Sequence, residues 1–467
     1  MRTEAAVKWA VEAFKDDRNE RYDKLQRYMD GDHDLEYATE KFSSAFGPLF
    51  RAFSYNRCGM VVDAHADRLL VESLSSDEAP ELGELANKEW HANSMRAREG
   101  HAEVDSFGLG DAYVIAEVDP NASPTRVHYW IQDPREVRVK YSHRVPGELE
   151  VGAKAWRDDD GYVRLNVYHP DRVERYITRD KAESLPPDAD MLERYDRPED
   201  GEPWTFRLNV TDTVPIFHIP NNGRTGEYGR SELEPVIPLQ DAINKTLMDM
   251  LVAMEFASYP QRYIIGAEPE NEKQRKQFEA FQVGLDRILT IFEPDAKAGE
   301  FGAANLAQFL AVAEFWDAAI SRVTKVPVHY LGMSGEFSSG VARRLAEAPF
   351  TAKIEDRQAS NGQVWHDVAR YTVRSHGYDV EPGIIQVNWR PAAPIAEEER
   401  LERAAQMDML NIPLEIWALD ALGWDQNKVA KAQAAKKRAV AEATRAFDAG
   451  MIAPSLEDDA DDSDEAA

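Results

Sequence analysis

Apolar residues recur every three to four positions along two long stretches of this chain. Between 231 and 258, Leu239, Ile243, Leu247, Met250, Leu251 and Met254 keep the 3.6-residue period of one helix face. Pro235 and Pro238 stand near its start, where proline is tolerated, and Tyr259-Pro260 ends it. Between 303 and 325 the same period is carried by Leu306, Phe309, Leu310, Ala313, Trp316, Ile320 and Val323, and Val326-Pro327 breaks it. At about 1.5 Å per residue, each helix is on the order of 35 Å long. Residues 260–301 between them read as a small compact insertion with a strand at 262–265, a charged helix at 270–283 and a strand at 287–292. Helices that bracket such an insertion are expected to run antiparallel, with the insertion at their far end.

Elsewhere the period switches. Residues 1–30, 56–71 and 80–108 read as helical, with Met60, Val61, His65 and Leu69 on one side of the second stretch. From 112 to 218 the chain reads as short strands: Tyr113-Val114-Ile115, Val127 to Ile131, Val137-Arg138-Val139, Ala153 to Trp156, Tyr162 to Leu165 and Val214 to Phe217, with turn pairs such as Asp160-Gly161 between them. These predict a mostly antiparallel sheet region flanked by helices, with the polar, proline-bearing residues 183–204 as an excursion from it. After the second long helix comes a glycine- and serine-rich stretch, Gly332 to Gly340. A third long helix over 341–376 follows, which Pro349 is expected to kink. A strand at 384–389 and helices over 396–450, rich in Ala, Glu, Lys and Arg, complete the pattern. The class is α+β, without internal repeats, and 467 residues allow about three structural units.

Composition narrows the function. Hydrophobic residues make up 43%, enough for a core, while 55 Lys and Arg against 84 Asp and Glu leave a net charge of −29. A protein that grips DNA through its phosphates needs a basic surface, because binding draws on counterion release. This chain either does not meet nucleic acid or meets it without holding it. Residues 455–467 hold seven acids and no base and are expected to be disordered. Cys58 is the only cysteine, so no disulfide within the chain and no cysteine zinc cluster can form; it reads as a small buried hydrophobe. Residues 1–14 lack the apolar run of a signal peptide, and no stretch of about 20 apolar residues predicts a membrane span. The expectation is a chain made for the cytoplasm or for something assembled there.

Catalytic signatures are missing. No lysine follows the last glycine of Gly332 to Gly340, so the stretch is not a phosphate-binding loop, and Gly108-Leu109-Gly110 lacks the third glycine of a dinucleotide fingerprint. Neither HExxH nor GxSxG occurs. His65, His91, His101, His329 and His366 read as structural histidines, and Trp130, Trp156 and Trp204 as core packing rather than a sugar site. With 84 carboxylates, some pair always sits at glycosidase distance, so that count decides nothing. No cofactor, metal or catalytic residue is expected.

The order of stations is more specific than any motif. Tyr22, Tyr28, Gly31 and His33 are followed by Asn56, Val61-Val62-Asp63, Leu69, Trp90, Asn93, Gly110 to Val114 and Asp133-Pro134. The densest run is Val214 to Phe217, Asn221-Asn222, Gly229-Arg230-Ser231-Glu232-Leu233, Gln240 to Lys245 and Pro260-Gln261-Arg262; Pro327, Gly332, Ser339 to Ala342 and Lys353 come later. From about Tyr22 to Pro394 this resembles the portal proteins of tailed phages, in particular the family typified by the portal of the Bacillus phage SPP1.

The resemblance implies a portal fold and not an enzyme. It has an α/β wing (1–234 and 343–395, the latter with the kinked helix), two long antiparallel stem helices (235–258 and 303–325) and a small α/β clip (259–302). A tunnel loop (326–342), a helical crown (396–454) and the acidic tail (455–467) complete it. It further implies a homo-oligomeric ring, a dodecamer, at the portal vertex of the capsid, assembled in the host cytoplasm, without a membrane. Its partners would be the terminase large subunit, a head–tail adaptor, the major capsid and scaffolding proteins, and double-stranded DNA passing through without sequence recognition. The tunnel loop would be Gly332, Ser334, Gly335, Glu336, Phe337, Ser338, Ser339 and Gly340, with Glu336 and Phe337 at its tip near the DNA. Arg343, Arg344 and Lys353 on the kinked helix would contact phosphates or, preferentially, pair with acids of a neighbouring subunit. Arg275, Lys276 and Glu279 would be clip contacts for motor or adaptor. The competing readings are another ring-forming or scaffolding virion component, and a soluble acid–base enzyme.

Overall fold

The computed structural model describes residues 2–34, 36–37, 55–119, 122–197, 203–208, 210, 212–258, 262–265, 271–273, 275–276, 297–300, 307–332, 340–393, 397–420, 422, 424 and 426–450. They fall into two compact units, Met1–Ala392 and Ala393–Ala467. The first opens with helices α1 (Thr3–Ala13), α2 (Arg18–Asp30) and α3 (Arg57–Ala66), strand β1 (Val71–Ser75), and helices α4 (Pro80–Ala92) and α5 (Met95–Leu109). Strands β2 (Asp111–Val118), β3 (Val127–Gln132), β4 (Val137–Tyr141), β5 (Leu149–Arg157), β6 (Val163–Tyr168), β7 (Arg172–Thr178), β8 (Leu192–Arg194), β9 (Thr205–Arg207) and β10 (Ile216–Pro220) follow. Helix α6 (Ile237–Ser258), strands β11 (Arg262–Ile265) and β12 (Lys297–Glu300), and helix α7 (Ala307–Thr324) come next. A 3₁₀ turn (Val328–Leu331), helix α8 (Gly340–Ser375) and strand β13 (Gln386–Trp389) complete the first unit. The second holds α9 (Glu397–Met409), α10 (Leu414–Asp420) and α11 (Gln426–Gly450).

The strands of the first unit pair antiparallel, as their alternation predicts. One sheet runs β10-β2-β3; another runs β4-β5-β6-β7-β8, with β9 also on β7. Strand β2 is apolar on both faces because both are covered. Tyr113 and Ile115 join Val137, Val139, Tyr168 and Val173 of the larger sheet. Ala112, Val114 and Ala116 belong instead to a core with Trp90 of α4, Ala102 of α5 and Trp365 of α8. Helix α1 covers part of the larger sheet with Ala6, Val7, Ala10 and Val11 against Val151, Leu165 and Val167. A further core gathers α2, α3, α6, α7 and α8 around Tyr28, Val61, Ile243, Ile320 and Ile354.

Several elements differ from the pattern reading. The helix expected over 56–71 stops at Ala66, and 71–75 is a strand paired with β13. A register shift between Val71 and Ser73 puts the buried residues Val71 and Leu74 three positions apart, a helical spacing. The helix over 80–108 is two, separated at Asn93-Ser94, where Ser94 takes φ 54°. Strand β7 escapes the pattern because Arg172, Glu174 and Arg175 interrupt it, yet Glu174 is buried. The excursion at 183–204 supplies β8, and β9 follows directly after it, both on β7. Helix α6 starts at Ile237 rather than 231. In the insertion, β11 pairs with β12 at 297–300, which the pattern missed. Of the helix expected at 270–283, residues 272–273 and 275–276 are helical, and the strand expected at 287–292 lies outside the described residues. Helix α8 contains Pro349, as the pattern predicts. Trp130 is 48% exposed rather than packed in the core, whereas Cys58 is fully buried.

Two carboxylates lie where α5 meets α8 and β1. Glu103 accepts from Asn361 Nδ2 at 2.6 Å and Trp365 Nε1 at 3.4 Å, and Glu99 accepts the Val71 N–H at 3.2 Å. Burial pushes Glu99 up to about 8, helped by Glu103, and Glu103 itself up to about 7. The native state therefore holds protons that the unfolded chain releases above pH ~4.5, so this pair's contribution to stability falls as pH rises towards 8. The Glu99→Gln, Glu103→Gln variant is expected to gain urea midpoint on the natural chain between pH 5 and 8.5; parallel pH profiles would contradict this.

Candidate functional site at the root of the paired helices

The segment 221–236, which leads from β10 into α6, is locked against the end of α5 and the start of β2. Gly110 sits at φ 101°, and its carbonyl accepts the Asn221 N–H at 2.8 Å. The Asn221 carbonyl accepts the Arg230 N–H at 2.7 Å, the Glu232 N–H donates to Phe107 O at 2.9 Å, and Ser231 Oγ donates to Gly108 O at 2.5 Å. A Cβ at Gly229 would lie 1.9 Å from Gly110 O, so only glycine fits. Under this crossing lies the Asp111 carboxylate, which accepts from Tyr22 Oη at 2.7 Å and the Gly229 N–H at 2.6 Å, with His218 Nε2 at 2.8 Å. The far nitrogen of His218 lies 2.7 Å from the Tyr141 hydroxyl. Burial raises the Asp111 pKa, but His218, Tyr22 and Gly229 outweigh it and hold the carboxyl below its usual range.

The two long helices are tied to α3 by a second polar cluster. Arg57 grips Asp317 of α7 with two bonds, Nε to Oδ1 and Nη2 to Oδ2, both at 2.8 Å, and both side chains are buried. Its backbone N–H donates to Gln240 Oε1 near the start of α6 at 2.8 Å, and Gln240 Nε2 donates to Asn244 Oδ1 at 2.8 Å. One residue thus brings the beginning of α6 beside the second half of α7. Asn56 caps α3, accepting the Gly59 N–H at 3.0 Å, and donates to Met29 O at 2.7 Å.

A third cluster sits at the end of α7. Lys353 of α8 donates to Glu232 Oε2 at 2.6 Å and to the carbonyl of Thr324, the last residue of α7, at 3.1 Å. Glu232 also accepts from Asn221 and Asn222. Burial drives the Lys353 ammonium below its ordinary value even with Glu232 beside it. His65 lies in the same region between Phe107 and Phe350, and burial lowers its pKa to about 4, so it is neutral at physiological pH.

The expected site residues fall out unevenly. Gly332 ends the 3₁₀ turn at φ 81°, and a side chain there would start 3.8 Å from the Arg57 guanidinium. Ser334, Gly335, Glu336, Phe337, Ser338 and Ser339 lie outside the described residues, as does Glu279; Gly340 begins α8. Arg275 and Lys276 are exposed on a helical turn, Arg344 is exposed, and Arg343 bonds Glu347 one turn on at 3.0 Å. Lys353 is buried and pairs with Glu232 of its own chain. Arg57 and Asp317 were missed. The available signal was Asp317 itself, a lone acid between Ala313 and Ile320 on the buried face of a helix.

Removing one partner of a buried ion pair strands the other charge. Lys353→Ala is expected to cost about 3–5 kcal/mol of unfolding free energy, and the paired change Lys353→Met with Glu232→Gln much less. Urea denaturation of both variants checks this, and equal losses would contradict it.

The sequence model of phage portal proteins of the SPP1 Gp6-like type matches residues 11–443. The portal protein of Mycobacterium phage L5 is 27% identical over 365 residues, 72% of this chain and 68% of its own length. That of Mycobacterium phage D29 is 27% identical over 357 residues, again 72% and 68%. Among solved structures, a chain from the virion of a native gene transfer agent particle matches 80% of this chain and 90% of its own at 12% identity, with a TM-score of 0.43. With the family match running through every element from α2 to α10 and on into α11, the chain belongs to the SPP1 Gp6-like family of phage portal proteins.

Proposed function

We propose that this chain is one subunit of a ring, a dodecamer in the family's pattern, that forms the DNA channel at one capsid vertex for packaging, retention and ejection. In this reading 1–234 and 343–395 form the wing, α6 and α7 the stem, 259–302 the clip, 326–342 the tunnel loop and 396–454 the crown. The clip, with Arg275, Lys276 and Glu279, would face the terminase large subunit and later the head–tail adaptor. Capsid and scaffolding proteins would surround the vertex, and the chain would assemble in the host cytoplasm.

The observation that carries self-association is the second apolar face of α7. Ala313, Asp317, Ile320 and Thr324 face the core. Val312, Phe315, Ala319 and Val323 repeat in steps of three, four and four on another side, and Val312, Phe315 and Val323 are exposed. A helix apolar on two sides needs a second cover, and soluble monomers rarely leave such stripes open. Another copy of the same chain supplies that cover in a ring.

The net charge of −29 suits the passage of DNA. Repeated around a ring, acidity repels phosphates and leaves their counterions in place, so the duplex slides instead of being gripped.

Native mass measurement is expected to find rings for the natural chain and single subunits for Val312→Glu with Phe315→Glu, with unchanged circular dichroism. A ring from the double variant would remove the stripe from the contact, and a natural chain that stays monomeric at high concentration would count against the channel. In infected cells, Glu336→Ala with Phe337→Ala is expected to impair DNA packaging or retention; normal packaging and retention would remove the loop tip from the channel.

A further inference from the structure

Helix α11 reverses the charge of the chain that carries it. Within Gln426–Gly450 stand Lys428, Lys431, Lys436, Lys437, Arg438 and Arg445 against Glu442 and Asp448, a balance of 6 − 2 = +4 in a protein of net −29. Lys428 lies 4.9 Å from the Trp424 ring. The other five cations are exposed, and among the described residues none has a carboxylate within ion-pair distance. Val429 is buried, but all the side chains described from 434 onward are exposed. Lys431, Arg438 and Arg445 are seven residues apart, two helical turns each, and so form one line along the helix. Val440, 60% exposed, lies on another side. Alanine-rich sequence lets such a helix form with little packing, but consecutive Lys436, Lys437 and Arg438 repel one another unless an anion lies against them.

We infer that the resident occupant of this basic face is the chain's own acidic segment, 455–467. Two observations select it. The first is charge: Glu457, Asp458, Asp459, Asp461, Asp462, Asp464 and Glu465 bring seven negative charges and no positive one. The second is reach: the segment starts five residues after Gly450, and 13 extended residues span roughly 43–47 Å at ~3.3–3.6 Å each, against a helix of about 37 Å. Tethering makes the encounter intramolecular, at an effective concentration in the millimolar range, so many individually weak surface pairs act together. The segment thereby occupies a helix face that is otherwise suited to phosphates, and keeps an acidic protein from acquiring a local grip on polyanions. The inference concerns a single chain and stands or falls independently of the ring.

The test is a charge swap read by amide hydrogen exchange over 431–445 in the full chain at low salt. Changing the seven acids to Asn and Gln is expected to speed exchange there at least tenfold. Lys436→Glu, Lys437→Glu and Arg438→Glu together should do the same, and adding Asp458→Lys, Asp459→Lys and Asp461→Lys to that triple variant should restore protection. The neutralised chain should also retain a short DNA duplex at least tenfold better than the natural chain, with the gain lost at high salt. Unchanged exchange in the neutralised chain, failure of the swap to restore protection, or equal DNA retention by the natural chain would each overturn the assignment.

Discussion

A carboxylate taken out of water must be given donors, and Asp111 is given them by three distant parts of the chain. Tyr22 belongs to α2, His218 to β10 and Gly229 to the crossing that leads into α6. Each loses a partner if the others move, so one side chain fixes the register between the sheet, the first helices and the long-helix pair. The fit is steric as well as polar, because the crossing passes so close over Gly110 that residue 229 has no room for a Cβ. A side chain at either place would push the crossing away and leave the carboxylate short of donors, at a cost far above that of an ordinary surface change.

The long helices are held by charge rather than by apolar contact alone. Arg57 ties α3 to both of them, and Lys353 ties α8 to the last carbonyl of α7 and to Glu232. Buried ion pairs of this kind add little net stability over an apolar replacement, but they tolerate few alternative registers. Lys353 holds the end of α7, and Arg57 lies beside Gly332 at the end of the 3₁₀ turn that follows it.

Periodicity made the long helices and most of the sheet legible, since Leu239, Ile243 and Leu247, or Val127 and Tyr129, repeat at the spacing of their element. It failed where burial is carried by charged or shifted residues. Strand β7 buries Glu174 rather than an aliphatic, satisfied by Thr3, Arg172 and Tyr176. Strand β1 carries a register shift that imitates a helix. The ordered polar stations were legible as a resemblance without their reason: Asn56, Asn221, Gly229, Glu232, Gln240 and Lys353 are the residues that close the buried networks. The pairing of Arg57 with Asp317 spans 260 positions, and local spacing cannot reveal it.

The pairing of β1 with β13 has a consequence for synthesis. Ser75 ends the first strand and Gln386 begins the second, 386 − 75 = 311 positions later. At roughly 5–20 residues per second, a ribosome takes about 16–62 s to supply the partner. Through that interval the nascent chain carries an unpaired strand edge beside a core that still lacks α8, whose Trp365 and Tyr371 fill it. The first unit thus closes only when most of the chain has been made, and a polysome crowded with such unfinished chains is where mispairing of that edge is most exposed.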